Sequence, residues 1–281
     1  MILTLINALL FVLITGWAVY MFATVVYRRY LYIRLGKPAN LKKDLKERLS
    51  QFAIQVFGQS KLFKDRKSGI MHFIVFYGFI ILQFGALDII WKGLSGHSLP
   101  IPGHAGFILM QEITVALIVL AIGYAAYRRY GEKLKRLKRG WKPSIVVFFI
   151  TTLMASVLLT MAFERLMEGL AWSAMAPISS SIAAVFAWMP PVAVTLCYYT
   201  FWWLHLLILL SFLIYVPQSK HFHLITAPIN ILVRRTDPPG KLSKLDLEDE
   251  EAEAFGVGKI EDFTQKQMLD FYACVECGRC T

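Results

Sequence analysis

The residues best suited to chemistry stand at the end of the chain, where Cys274, Cys277 and Cys280 follow one another at intervals of three. Thiolates with two residues between them can converge on one metal centre. Three at this spacing open the run C-x2-C-x2-C-x3-C-P that binds cubane iron–sulfur clusters. Gly278 relieves crowding at the turn. Zinc is the rival for closely spaced cysteines, and the spacing favours iron–sulfur. The run breaks off at Thr281 before a fourth cysteine. A complete 4Fe–4S cluster therefore needs a ligand outside these residues, and the sequence is expected to be the N-terminal part of a longer protein. Cys197 lies in an apolar run and reads as a buried small hydrophobe.

Histidine is the second candidate group. Of the six, His72 stands near the start of one apolar run, His205 within another, and His221 and His223 just past the end of that second run. An ionisable group inside an apolar span is costly and tends to be functional, and imidazole is a common axial ligand of haem iron. His72 and His223 lie toward one end and can clamp a single haem b, while His205, deeper, can serve a second. His205 and His223 are 18 residues apart. If the helix continues through Pro217, that is five turns, with both imidazoles on one face about 27 Å apart. The plainer reading is a hydrogen-bonded packing residue at each position, with His221 and His223 interfacial. His97 and His104 lie among Gly and Pro and read as solvent-exposed.

These side chains need elements to hold them. The chain is 57% hydrophobic and 17% charged, against roughly 25% charged in an ordinary soluble domain. Its charges crowd between long uncharged windows, the pattern of spans of about 20 apolar residues each. Five transmembrane helices are expected, over about 2–27, 69–91, 105–127, 144–163 and 192–216, in an all-α bundle. The first lacks a basic leading segment and is too long for a signal-peptide core. The uncharged stretch 169–191, broken by Pro177, Pro190 and Pro191, is expected to form a short helix at the outer interface.

Charge sets the orientation. Arg28 to Lys67 carries twelve Lys and Arg, Arg128 to Lys142 eight, and Lys220 onward eight, leaving only Lys92 and Arg165 elsewhere. The positive-inside rule makes the rich side cytoplasmic, with the N-terminus outside and the C-terminus in the cytoplasm. The net charge of +11 is thereby assigned to membrane lipid and orientation rather than nucleic acid. Leu41, Leu45, Leu49, Phe52 and Val56 predict an amphipathic helix within 41–67, on the membrane or a partner. A solvated basic connector is the alternative. Asp237-Pro238-Pro239-Gly240 reads as a linker, Glu248 to Glu253 as soluble surface, and 264–272 as a helix leading into the cysteines. Asp88, Glu112, Glu164 and Arg165 near outer span ends are either interfacial or a proton relay. No internal repeat points to a transporter.

The stretch Leu204-His205-Leu206-Leu207 through Pro217-Gln218-Ser219-Lys220 to His223 and Ala227-Pro228 resembles the fifth span of respiratory nitrate reductase gamma subunits. The resemblance implies that His223 ligates a cytoplasmic-side haem b, with His72 in Ser68-Gly69-Ile70-Met71-His72-Phe73 as its partner. It also implies that His205 ligates an outer haem. That family's second ligand for the outer haem falls here on Leu82, beside Gln83. His97 or His104 could replace it, or His205 could line a quinone site. The tail, Asp246 to Glu253 followed by Phe255 to Thr264, resembles fused membrane oxidoreductases, in which such a haem domain precedes ferredoxin-type and heterodisulfide-reductase-type cysteine-rich domains. This second resemblance implies a membrane domain over 1–235, a linker over 236–263 and the start of a ferredoxin-type 4Fe–4S domain over 264–281. It further implies electron transfer between a cytoplasmic iron–sulfur or electron-transferring flavoprotein donor and menaquinone in the bacterial cytoplasmic membrane. The rivals are a cytochrome b subunit of a nitrate or heterodisulfide reductase complex and a haem-free membrane anchor.

Overall fold

The computed structural model describes residues 2–39, 41, 44–100, 102–135, 137, 139–236, 241, 248 and 256–275. Among them every regular element is helical, and the one strand-like feature is an isolated parallel bridge between Lys37 and Thr264. The helices are α1 (Ile2–Arg34), α2 (Leu45–Phe52), α3 (Arg66–Ser95), α4 (His104–Ala126), α5 (Trp141–Met167), α6 (Pro177–Phe186), α7 (Pro191–Tyr215), α8 (His223–Leu232) and α9 (Gln265–Ala273). Five stretches are long and apolar enough to cross a membrane: Leu5–Arg34, Arg66–Ser95, His104–Gly131, Trp141–Met167 and Pro191–Gln218. They match the five expected spans and outrun the apolar windows at the charged ends. The second begins at Arg66 because Asp65 caps it, accepting a hydrogen bond from Ser68 N–H.

The chain divides into two compact units. The first comprises residues 1–18 and 62–213, the second 19–61 and 214–281. In the first, Val115, Ile118 and Ile122 of α4 form a core with Leu153 and Met154 of α5, and Leu82 of α3 packs against it. Helices α3 and α4 approach closely at Gly78, where a Cβ would lie 2.8 Å from Ile118 Cδ1, the small-residue contact typical of apolar bundles. Phe11 of α1 is buried against Trp202 of α7, and Trp203 Nε1 donates to Asn7 Oδ1 at 3.1 Å.

Three of the charges near the outer span ends meet in one cluster. Lys92 reaches Glu164 at 2.7 Å and Asp88 at 3.2 Å, and the other Asp88 oxygen accepts from Leu99 N–H. Glu112, expected at an interface or in a relay, is instead fully buried. Its two oxygens accept from Ile178 N–H at 2.6 Å and Ser179 N–H at 3.0 Å. The carboxylate of α4 thus caps the N-terminus of α6, whose own residue before the first turn, Ala176, has no side chain to do so. Helix α6 is the short helix expected between the fourth and fifth spans.

In the second unit the predicted amphipathic segment is shorter than 41–67. Helix α2 passes into a π-turn, Ala53–Phe57, and ends at Gly58. Its polarity is reversed: Leu45 and Leu49 are exposed and Arg48 is buried. Arg48 Nη1 donates to the carbonyls of Leu232 and Arg234, both at 2.9 Å, filling the acceptors that end α8. Arg234 returns a hydrogen bond to Gln51.

Replacing Glu112 with Ala strands two amide protons at the start of α6 and is expected to cost about 2–4 kcal/mol. Glu112→Gln, which keeps an acceptor, should recover part of that. Thermal unfolding in detergent micelles checks this, and an unchanged midpoint for Glu112→Ala would refute the capping role.

Candidate functional site

His72 and His205 belong to the first unit and His223 to the second. His72 is half-buried nearly two turns into α3, its ring stacked on Phe76 with centroids 6.5 Å apart. His205 is buried in the middle of α7. His223 is the first residue of α8 and half-buried. His97 and His104 are exposed, as expected, and Gln83 is also exposed, donating to Phe79 O.

The unbroken helix from His205 to His223 is not found. Helix α7 ends at Tyr215, a 3-10 turn covers Val216–Gln218, and Ser219 is extended at φ −121° and ψ 175°. Pro217 has no N–H to continue the helical ladder, and the Ser219 hydroxyl accepts from His221 N–H to start the next turn. The shared face and the spacing of about 27 Å calculated for a continuous helix therefore do not apply. The break makes His223 an N-terminal residue of its own helix.

Hydrogen bonding fixes the tautomer of His223 and orients the ring of His205. His223 Nδ1 lies 3.0 Å from Lys220 O, and a carbonyl only accepts, so Nδ1 carries the proton. Burial holds His223 below the usual imidazole range against the opposing pull of that carbonyl, which keeps it neutral at pH 7. His205 Nδ1 lies 2.8 Å from Ser156 Oγ. The Ser156 hydroxyl also reaches Leu153 O at 3.1 Å, and because a hydroxyl both donates and accepts, it orients the His205 ring in either tautomer. His223 Nε2 thus keeps its lone pair. A histidine that ligates a metal through Nε2 typically pins its other N–H in this way. One turn before His205, Trp202 buries its indole N–H with no partner among the described residues. The donor set and the orphaned N–H fit haem ligation. Ser156 and Trp202 escaped the sequence reading, because a serine in Leu153–Leu159 and a tryptophan in an aromatic run carry no spacing signal.

The cysteine run is only partly described. Cys274, exposed and free, follows α9 directly, whereas Cys277 and Cys280 lie outside the described residues. Helix α9 matches the expected piece, with Thr264 and Gln267 forming a reciprocal capping box. Ahead of it, Lys37 N–H donates to Phe263 O and Gln265 N–H to Lys37 O, both at 2.8 Å. Gly36 is required there, since a Cβ would sit 2.7 Å from Phe263 O. Thr226 of α8 donates to Tyr272 O at 3.0 Å, and Asn230 Nδ2 donates to Asp270 at 2.7 Å. The segment leading to the cysteines is thus docked on α8 and on the end of α1.

Two curated proteins match the chain. It is 51% identical over 279 residues to the probable iron–sulfur-binding oxidoreductase FadF of Bacillus subtilis (strain 168), covering 98% of this chain and 39% of that protein. It is 29% identical over 256 residues to the EtfAB:quinone oxidoreductase of Syntrophomonas wolfei subsp. wolfei, covering 83% of this chain and 34% of that protein. The chain spans between a third and two fifths of the length of these relatives. No family model and no solved structure matches.

The docked segment carries a pH dependence. Asp262 accepts from the amides of Lys259 and Gly258 and from Lys37, and these bonds, the Lys259 amide foremost, hold its carboxyl below the usual range. The stabilisation is present above the unfolded carboxylate pKa of about 3.9 and is lost as pH falls through the lowered folded value. Amide exchange at Gly258 and Lys259, corrected for intrinsic rates, should be flat from neutral pH down to about 4 and rise only below it. A rise near pH 6 would implicate another group.

Proposed function

We propose that this chain is the membrane part of an oxidoreductase, passing electrons between a cytoplasmic iron–sulfur or flavoprotein donor and the quinone pool by way of haem b. The observation that carries the proposal is the state of His223: a neutral imidazole past the end of an apolar span, with Nδ1–H on Lys220 O and Nε2 free. His223 and His72 would hold one haem, and His205, pinned by Ser156, a second or a quinone. The haem supplies one-electron conduction inside an apolar layer where no aqueous carrier goes. Cys274, Cys277 and Cys280 would supply three thiolates to a 4Fe–4S cluster in the reducing cytoplasm.

The names of the relatives support the redox reading, one being an iron–sulfur-binding oxidoreductase and the other an EtfAB:quinone oxidoreductase. By that analogy an electron-transferring flavoprotein would be the donor and a quinone its partner, and the resemblance of the tail to fused membrane oxidoreductases makes that quinone menaquinone. The five apolar stretches and the one-sided distribution of Lys and Arg support a multi-pass cytoplasmic-membrane protein with an outer N-terminus and a cytoplasmic C-terminus. Exposed Leu45 and Leu49 on α2 suit contact with the inner lipid surface. The domain limits follow the same reading: membrane domain 1–235, linker 236–263, iron–sulfur segment from 264.

The test is haem stoichiometry by pyridine haemochrome on membranes and purified protein. His72→Ala and His223→Ala should each lose most of one haem b, with the protein still inserted. If His205 serves a second haem, His205→Ala removes it and leaves the first. Wild-type protein without haem, or haem content untouched by all three substitutions, would reduce the chain to a membrane anchor.

A further inference from the structure

Electron exchange between the cysteine run and the haem requires the two to be held at a fixed short separation, and the second unit contains a contact suited to that task. Resting on the reading above, we infer that Tyr272 is the positioning residue that fastens the iron–sulfur segment to the helix bearing the haem ligand. It precedes Cys274 by two residues. Its ring meets Phe222 edge-on, centroids 5.9 Å apart, and Phe222 is the residue directly before His223. Its carbonyl lies 3.0 Å from Thr226 Oγ1, one turn after His223, and shares the single Thr226 hydroxyl proton with Phe222 O at 3.1 Å. The Arg29 guanidinium of α1 stands 5.3 Å from the same ring. Phe222 and Thr226 are buried, as are Met268 and Leu269 of α9.

The arrangement leaves two peptide bonds at one end, through Ala273, and one at the other between a cluster ligand and a haem ligand, joined by a ring contact and a hydrogen bond. A helix of nine residues does not persist alone in water, so α9 depends on these contacts for its place. The step served is a one-electron exchange, in which the cluster is oxidised by one electron as the iron on His223 goes from ferric to ferrous, or the reverse. No bond forms or breaks. No described hydrogen bond uses the Tyr272 hydroxyl, so the ring and the carbonyl do the positioning.

The experiment uses the protein expressed from its own gene in lipid nanodiscs, with Tyr272→Ala, Thr226→Val and Tyr272→Phe variants. Two quantities are read: amide exchange across 265–273, and the rate of haem reduction after rapid mixing with photoreduced methyl viologen. Cys274→Ser measures direct reduction of the haem, which is subtracted. Tyr272→Ala and Thr226→Val should raise α9 exchange by about tenfold, the loss of one aromatic contact or one buried hydrogen bond. They should slow the cluster-dependent rate by about tenfold or more through misplacement, with haem and iron contents unchanged. Tyr272→Phe should match wild type in both. Unchanged exchange, or a loosened α9 with an unchanged rate, would overturn the role of Tyr272. Wild-type protein lacking haem would sink the redox reading instead, and the exchange data would still decide whether Tyr272 docks α9.

Discussion

An imidazole has two nitrogens and, when neutral, one proton, and where that proton goes decides what the other nitrogen can do. At His223 a carbonyl three residues back accepts it, which leaves Nε2 bare. At His205 the ring is oriented by a serine hydroxyl, which can accept from Nδ1–H or donate to a bare Nδ1. The remaining local architecture follows from this requirement. Lys220 can offer its carbonyl only because the helix has been interrupted, and Ser156 can reach His205 only because α5 and α7 pack together at that level.

The interruption itself has a simple cause. Pro217 withholds an N–H, and Ser219 leaves the helical region and recaps the chain through its hydroxyl. In an apolar layer a broken ladder is tolerated where neighbouring protein satisfies the freed groups. Here Val216 O is filled by the Ser219 hydroxyl and Ile214 O by the side-chain amide Nε2 of Gln218. The break separates two roles that one straight helix would have tied together, since α7 carries His205 and α8 carries both His223 and the surface on which α9 docks.

Much of the fold was legible in the sequence, because long uncharged windows bounded by Arg and Lys have few alternatives to apolar helices. The helix before the cysteines was legible for a different reason, Thr264 and Gln267 being a local capping pair that needs nothing distant. The inward Arg48 and the buried Glu112 were not legible. Each satisfies the end of a helix far away in sequence, α8 in one case and α6 in the other, and periodicity assigns such residues to solvent. The histidines were found by type and position, but the His223 tautomer rests on Lys220 O and the His205 orientation on Ser156, partners that only the packed chain reveals. The straight path from His205 to His223 failed because an 18-residue interval reports a face only if no residue between leaves the helix.

Leu82 shows where resemblance gives way to packing. The nitrate reductase gamma pattern calls for a ligand there, whereas this side chain lies against Val115, Ile118, Leu153 and their neighbours. Hydrocarbon in that place offers no lone pair, and the adjacent Gln83 faces outward and spends its amide on Phe79 O. Yet the other half of the expected pair is preserved: His205 is buried and pinned, and Trp202 holds an unanswered N–H one turn away. The two ends of the proposed redox path are unequal, the His223 end resting on imidazole with a docked cysteine segment, and the His205 end on one oriented imidazole and an indole N–H with no partner among the described residues.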